Sequence, residues 1–364
     1  MEHLDAPKRP LLTDAHPESW EIPDCPSYRV EQVRQWVYEK GVLSFGEMTN
    51  LPAQLRDKLA DQWDLSPMEQ ARLQGSSDTT RKFLWRLRDG NYIESVLIPA
   101  TPGKDGDRAD RLTLCVSTQV GCGLECKFCA SGLDGLKRNL TTGEILGQIL
   151  LARNEAGKRI DNLVFMGMGE PLANLSALLP ALDVILSPKG LGIGARHITL
   201  STCGLVPRIL ELADYPAQVR LAISLHGGDD FTREQIMPIN KRYPIGELLD
   251  ACETFINAHR KMITLEYILI DGVNDSIEQA VLLATHARRL RAKVNLIPYN
   301  KVEGLDWKRP PENRIREFLR TVEKGRPPAV TLRMEKGHDI DAACGQLRLR
   351  EENSENEKAN SCTG

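Results

Sequence analysis

Residues 112–129 read Leu112-Thr-Leu-Cys115-Val-Ser-Thr-Gln-Val-Gly-Cys122-Gly-Leu-Glu-Cys126-Lys-Phe-Cys129. The run Leu112–Thr118 has the composition of a strand, and it opens onto three cysteines spaced C-x3-C-x2-C. Three thiolates on one short loop are one fewer than a closed tetrahedral zinc site needs, and no fourth partner follows at finger-like spacing. A [4Fe–4S] cluster normally takes four cysteines. Held by Cys122, Cys126 and Cys129 alone, it keeps one iron open. An open iron can hold the amino and carboxylate groups of S-adenosylmethionine, whose sulfonium a reduced cluster can cleave to a 5′-deoxyadenosyl radical.

Outward from this stretch the chain alternates strand and helix. Strand candidates are Leu112–Thr118, Asn162–Met166, His197–Ser201, Arg220–His226, Thr264–Ile270, Lys293–Ile297 and Val330–Met334. Helical periodicity fills the intervals, as in Thr142–Asn154, Tyr243–His259 and Ser276–Leu290. Repeated βα units imply a parallel sheet, open or closed into a barrel. In both, ligands gather at the carboxyl ends of the strands. The residues that carry chemistry fall at those ends. The cysteine loop follows the first strand and Gly167-Met-Gly-Glu170 the second, Ser201 and His226 end the third and fourth, and Asn300 follows the sixth. A histidine ending a strand is, on pattern alone, more often structural than a ligand.

Upstream, residues 1–27 are rich in Pro, Asp, Glu and His without a sustained period and read as a flexible arm. Residues 28–64 read as helices, with Val30, Val33, Trp36 and Val37, then Leu51, Leu55 and Leu59, at helical spacing. Arg29, Arg34, Lys40, Arg56 and Lys58 decorate them, but interleaved acids make this an ordinary solvated face by pattern. In the strand that follows, Phe83, Trp85 and Leu87 share a face, and Asp89-Gly90 marks a hairpin turn. The return strand, Tyr92–Pro99, puts Glu94 on the face of Tyr92 and Val96. Alternation does not say which face is buried, and pattern alone favours a solvent-facing carboxylate. Residues 101–110 form a polar loop, and 351–364 have the composition of a disordered tail.

The 364 residues, 41% of them apolar, suffice for a barrel-sized domain and a smaller one. No run approaches the roughly 18 apolar residues of a membrane span, and the first residues lack the order of a secretory signal. Nine cysteines, unevenly clustered, suit a reducing compartment, so the cytoplasm is expected. A net charge of −3 gives no global sign of nucleic-acid binding.

Two sets of motifs resemble a known family. CGLECKFC followed by GMGEP is the radical S-adenosylmethionine pattern. LTLCVSTQVGC, LSTCGLVP, LAISLHG, EYILIDGVND, VNLIPYN and GHDIDAACGQL resemble the adenine-C2 RNA methyltransferases, as do YRVEQVRQWVYEKG and EMTNLP near the N-terminus. The resemblance spans roughly residues 28–349. It implies an α/β fold in which a partial (β/α)6-type radical S-adenosylmethionine barrel, residues 111–350, follows a helical and β-hairpin accessory domain, residues 28–110, that contacts RNA. It implies one [4Fe–4S] cluster on Cys122, Cys126 and Cys129. Gly167, Gly169, Glu170, Ser201, Ser224, Leu225, His226 and Asn300 would contact S-adenosylmethionine. The implied substrates are 23S rRNA and tRNA, the electron donor a reduced ferredoxin or flavodoxin, and the protein a monomer away from membranes.

Adenine C2 lies between two ring nitrogens and carries a non-acidic C–H, so it cannot attack a sulfonium methyl as an amine would. A carbon radical can add to it. The resemblance makes Cys344 the carrier of the methyl group, Cys115 the thiol that later forms a transient disulfide with Cys344, and Glu94 the acceptor of the C2 proton. Cys25, Cys252 and Cys362 lack such context. The chain departs from the family at Cys203, where a small hydroxyl residue is more usual, and at Glu335-Lys-Gly, where Thr-Arg-Gly is common. A C8 methyltransferase of the same rRNA adenine shares the cysteines and is the nearest rival. A catalytically silent iron–sulfur RNA-binding protein has no use for Cys115 and Cys344 together.

Overall fold

A computed structural model describes residues 9–22, 25–76, 79–100, 111–300 and 305–333. The N-terminal region begins with α1 (Ser27–Arg34), continues through one π-helical turn at Gln35–Glu39, and adds α2 (Ala53–Gln62). Residues 9–22 correct the expectation of a free arm. Leu12, Trp20 and Ile22 are buried in the main core, Trp20 stacks on Tyr38 with ring centroids 5.8 Å apart, and Asp14 Oδ1 accepts the Gly143 N–H at 2.7 Å. Three large apolar side chains spread over this segment fill a groove without ever making a period, which is why composition alone hid them.

Three antiparallel strands follow, β1 (Met68–Gly75), β2 (Arg81–Leu87) and β3 (Tyr92–Pro99). The turn between β2 and β3 runs through Asp89-Gly90 as expected, with the Gly90 N–H donated to the Leu87 carbonyl. β1 was not legible in the sequence. Its residues, MEQARLQG, are mostly exposed at the sheet edge and carry no apolar alternation.

The remaining strands are β4 (Leu112–Cys115), the small hairpin β5 (Gln119–Gly121) and β6 (Leu136–Asn139), then β7 (Asn162–Phe165), β8 (Ile198–Thr202), β9 (Arg220–Ser224), β10 (Thr264–Leu269), β11 (Lys293–Pro298) and β12 (Val330–Leu332). Helices α3 (Thr142–Ala156), α4 (Leu175–Leu186), α5 (Val206–Ala213), α6 (Asp230–Ile236), α7 (Ile245–His259), α8 (Ile277–Arg289) and α9 (Glu312–Lys324) separate them. Ten strands form one sheet in the order β1-β2-β3-β4-β7-β8-β9-β10-β11-β12. From β4 onward every pairing is parallel. The sheet is therefore an incomplete barrel of βα units, with the N-terminal hairpin strands added to its first edge.

Its two faces differ. Leu114, Phe165, Leu200, Leu265, Tyr267, Val294 and Leu296 pack into the main core, and Tyr267 lies against Phe318 of α9 at 5.3 Å. The neighbouring residues Thr199, Ser201, Ser224, Glu266 and Asn295 point the other way. A parallel sheet covered by helices on both faces reads as continuous apolar runs. Alternation in β8 and β11 instead marks a concave face left for a ligand. Among the described residues no helix is long and apolar enough to cross a membrane.

Candidate active site

The cysteine loop leaves β5 and is seated on a small apolar shelf. Leu124, Cys126 and Phe128 pack against Ala130, Cys203, Ile236, Met237, Ile268, Ile270 and Tyr299. The Lys127 N–H is donated to the Ile236 carbonyl at 3.0 Å, and that of Cys129 to the Cys126 carbonyl at 3.0 Å. Phe128 stands edge-on to the His226 imidazole, centroids 4.8 Å apart at 88°. Burial pushes the Cys122 thiol up to about 12, with Cys129 and Glu170 adding to the effect. Burial likewise raises Cys126 well above the usual thiol range, with Cys129 and Cys122 contributing. Two desolvated sulfurs, Cys122 and Cys126, whose charge is further disfavoured by the neighbouring Cys129, suit a cationic metal centre, which deprotonates its thiols outright. Among the described residues no group of three His, Cys, Asp or Glu side chains converges on a single ion. A cuboidal cluster asks each thiolate only for its own corner, so the donor set fits the implied [4Fe–4S] group.

The residues after β7 and β8 are bound to each other and to the strand that feeds the loop. A Cβ on Gly167 would lie 2.7 Å from Ser117 Oγ, and one on Gly169, whose φ is +97°, would lie 2.5 Å from Gln119 Cβ. These glycines let the GMGE turn press against residues 117–119, a packing reason beside the expected one of ligand approach. Glu170 is buried. Its carboxylate accepts the Leu172 N–H at 3.1 Å and the Cys203 N–H at 2.9 Å, with further side-chain hydrogen bonds from Thr202 and Cys203. Burial pushes its carboxyl above the usual carboxylate range despite these donors. The Cys203 thiol is raised well above the ordinary range by burial and by Glu170. The extra thiol at this position is thus a protonated donor to Glu170.

On the concave face, Ser201 Oγ donates to Glu266 Oε2 at 3.2 Å and Asn295 Nδ2 donates to Oε1 at 3.4 Å. Ser224 is the register partner of Glu266. Glu266 was not singled out from the sequence, although a carboxylate within Thr264-Leu-Glu-Tyr-Ile-Leu was the available signal. His226 takes a left-handed backbone with φ +56°, and its Nδ1 accepts the Ile268 N–H at 3.1 Å. The imidazole is driven down to about 3 by burial, then by Arg233, so it is neutral with Nε2 protonated. Leu225 is fully buried beside it, whereas Asn300 is exposed.

Two further side chains hold this rim. Arg233 is fully buried. It donates from Nε to the Leu225 carbonyl at 3.1 Å, from Nη2 to the Cys203 carbonyl at 2.5 Å and from Nη1 to Asn240 Oδ1 at 2.8 Å. Asn274, in the DGVND motif, donates to the carbonyls of His226 at 2.8 Å and Ile268 at 2.6 Å and accepts the Ile270 N–H at 2.8 Å. Asn274 sits in a motif that the resemblance marked without giving it a role, whereas Arg233 lies outside the quoted motifs and was not singled out from the sequence.

Cys115 and Glu94 share the concave side. Cys115 pairs with Val96 of β3 and Val164 of β7, and Glu94 lies on the Val96 face. Glu94 is completely buried, which overturns the solvent-facing reading. Alternation failed there because β3 is covered on both sides. Ser117 Oγ donates to the Glu94 carbonyl at 2.6 Å and accepts the Met168 N–H at 2.9 Å. Gln148 of α3 binds both the N–H and the carbonyl of Ser117 at 2.9 Å. Cys344 and Glu335-Lys-Gly lie outside the described residues, as does Cys362.

An incomplete parallel barrel with a three-cysteine loop after its first strand is the radical S-adenosylmethionine class of enzyme. Residues 116–284 match the radical SAM superfamily, and residues 24–64 match the ribosomal RNA large subunit methyltransferase N-terminal domain. The chain is 56% identical over 331 residues to a probable dual-specificity RNA methyltransferase RlmN of Akkermansia muciniphila, covering 91% of this chain and 92% of that one. It is 54% identical to a similarly named protein of Opitutus terrae, with 90% of each covered. A crystal structure of a radical SAM methyltransferase from Sphaerobacter thermophilus superposes with a TM-score of 0.86 at 42% identity, over 93% of this chain and 98% of that one. The chain belongs to the RlmN family of dual-specificity RNA methyltransferases. It is a radical SAM RNA methyltransferase, and that membership implies a [4Fe–4S] cluster and S-adenosylmethionine.

Proposed function

We propose that this enzyme methylates C2 of adenosine in 23S rRNA, at the peptidyl-transferase centre, and in tRNA just 3′ of the anticodon, by way of a methylated cysteine. In this reading Cys122, Cys126 and Cys129 hold the cluster, and Glu170, Ser201, Ser224, Leu225, His226 and Asn300 surround S-adenosylmethionine. When bound, the cluster supplies the electron, drawn from a reduced ferredoxin or flavodoxin, that splits S-adenosylmethionine into a hydrogen-abstracting species. The protein's own groups do the rest. The Cys344 thiolate displaces the methyl group of a first S-adenosylmethionine, whose sulfur keeps the bonding pair. After hydrogen abstraction, the carbon on Cys344 adds to C2, and Glu94 takes the C2 proton. Cys115 then attacks the Cys344 sulfur. The S–S bond forms as the S–C bond breaks, the carbon leaves with that pair and takes a proton, and the one surplus electron passes to an oxidised ferredoxin or flavodoxin. An external dithiol reduces the disulfide. The observation that carries this reading is the common face of Glu94 and Cys115, with Ser117 donating from the Cys115 strand extension to the Glu94 carbonyl at 2.6 Å.

Cys115→Ala tests it. The variant should accumulate a covalent protein–RNA adduct, seen as an RNase-sensitive shift on a denaturing gel, and Cys344→Ala should give none. The double variant should behave like Cys344→Ala, because the two act in sequence. Normal release of methylated adenosine by Cys115→Ala would remove its role. Mass spectrometry of nucleosides from the reaction separates the 2-methyl from the 8-methyl product, and the latter would make this the C8 enzyme.

A further inference from the structure

We infer that Lys82 is a positioning residue for the reaction, holding the Glu94 carboxylate in a buried ion pair and fixing it on the concave face where Cys115 also stands. The inference rests on the reading of Glu94 as proton acceptor. Lys82 Nζ lies 2.9 Å from Glu94 Oε2, and both side chains are 0% exposed. Lysine is almost never fully buried unless paired. A buried pair is also a poor source of stability, since apolar residues of the same volume serve the fold as well. The fold thus gives no sufficient reason for two charges here, and the chemistry gives one.

The placement is rigid. Lys82 is the register partner of Val96, and Glu94 is two residues along the same paired strand, opposite Leu84. Val96 is in turn the partner of Cys115, so Lys82, Glu94 and Cys115 share one side of three adjacent strands. On the reverse side Phe83 and Trp85 stack at 4.9 Å and 10°, and Trp85 Nε1 donates to Ser95 Oγ at 3.0 Å. Ser95 donates to Gln148 at 2.8 Å, the residue that also holds Ser117. The backbone on both sides of the Lys82–Glu94 pair is therefore locked to the strand that carries Cys115.

The proton step shows what the ammonium does. When the C2–H bond breaks, its electron pair stays with the ring and the proton goes to the Glu94 carboxylate. That requires an ionised carboxylate in a site with no water contact. A buried carboxylate without a counter-charge neutralises itself by taking a proton before any substrate arrives. Lys82 supplies the counter-charge, and at 2.9 Å it also fixes one carboxylate oxygen.

The test uses the reconstituted full-length enzyme and RNA deuterated at adenine C2, with Lys82→Met and Glu94→Gln run in parallel. Lys82→Met should form 5′-deoxyadenosine at close to the normal rate while methylated RNA falls by about 100-fold, the scale of a lost acid–base contribution. A deuterium effect on methylation should appear that the unaltered enzyme lacks. Unchanged methylation, or methylation and 5′-deoxyadenosine falling together with no deuterium effect, would overturn the role of Lys82. If Glu94→Gln methylates normally with no deuterium effect, the assignment of Glu94 itself fails, whatever Lys82→Met does. Melting of the cluster-free proteins checks the pair independently of activity. The double variant should melt closer to the unaltered protein than Lys82→Met does, and simple additivity would count against the ion pair. Should Lys82→Met fail to fold, Lys82→Arg and Lys82→Gln carry the same comparison. Both keep a donor, and only the arginine keeps the charge and the coupling of radical formation to methylation. Equal coupling in the two would overturn the inference.

Discussion

The backbone N–H of Cys203 donates to the Glu170 carboxylate at 2.9 Å, tying the loop after β8 to the loop after β7. The same carboxylate caps the turn at Leu172 with a 3.1 Å hydrogen bond. Glu170 therefore fixes the distance between two neighbouring strand ends before any ligand arrives. Glu170→Ala leaves two buried N–H groups without an acceptor. At roughly 1–3 kcal/mol each, the cluster-free protein should lose at least about 2 kcal/mol in chemical denaturation, and Glu170→Gln, which keeps one acceptor oxygen, should lose less than half of that. Equal stability in all three proteins would show that the strap contributes nothing.

Gly169 makes the second strand end depend on the first. Its φ of +97° is strained for any L side chain, and an added Cβ would lie 2.5 Å from Gln119 Cβ. Gly169→Ala should cost about 3 kcal/mol or more from strain and collision together. Gly272, with φ +68° and nothing within 4 Å of its would-be Cβ, is the control, and there alanine should cost only about 1–2 kcal/mol. Denaturation midpoints of the two variants check the difference.

His226 should shape the acid limb of stability. Its imidazole is held down to about 3, below the 6.5 of an exposed histidine. Between those values the unfolded chain binds a proton that the native protein does not. Its contribution is therefore complete above pH 6.5 and is lost as pH falls towards 3, at up to about 1.4 kcal/mol per pH unit. Denaturation of the cluster-free protein at pH 7 and pH 5 should show a larger loss for the native sequence than for His226→Gln. The same loss in both would mean that the imidazole is not shielded as its burial indicates.

Much of this architecture was legible in the chain. Each expected βα strand appears, because its core-facing residues are apolar and its neighbours are set by the order of the units. The cysteine spacing and the GMGE turn were visible because their function depends on residues close in sequence. Less visible were β1, whose edge position asks for no apolar alternation, and the packing of residues 9–22, whose three anchors obey no period.

By itself, then, the sequence determined the class of fold, the thiol loop and the family to which the chain belongs, all of which rest on local patterns read in order. Only the tertiary structure decided that Glu94 is buried against Lys82, that Arg233 and Asn274 hold the strand ends, and that Glu266 faces the concave side with Ser201 and Asn295. Burial and the filling of donors and acceptors depend on groups brought together by the fold, and even Lys82 and Glu94, which share one hairpin, become a buried pair only once both sides of that sheet are covered.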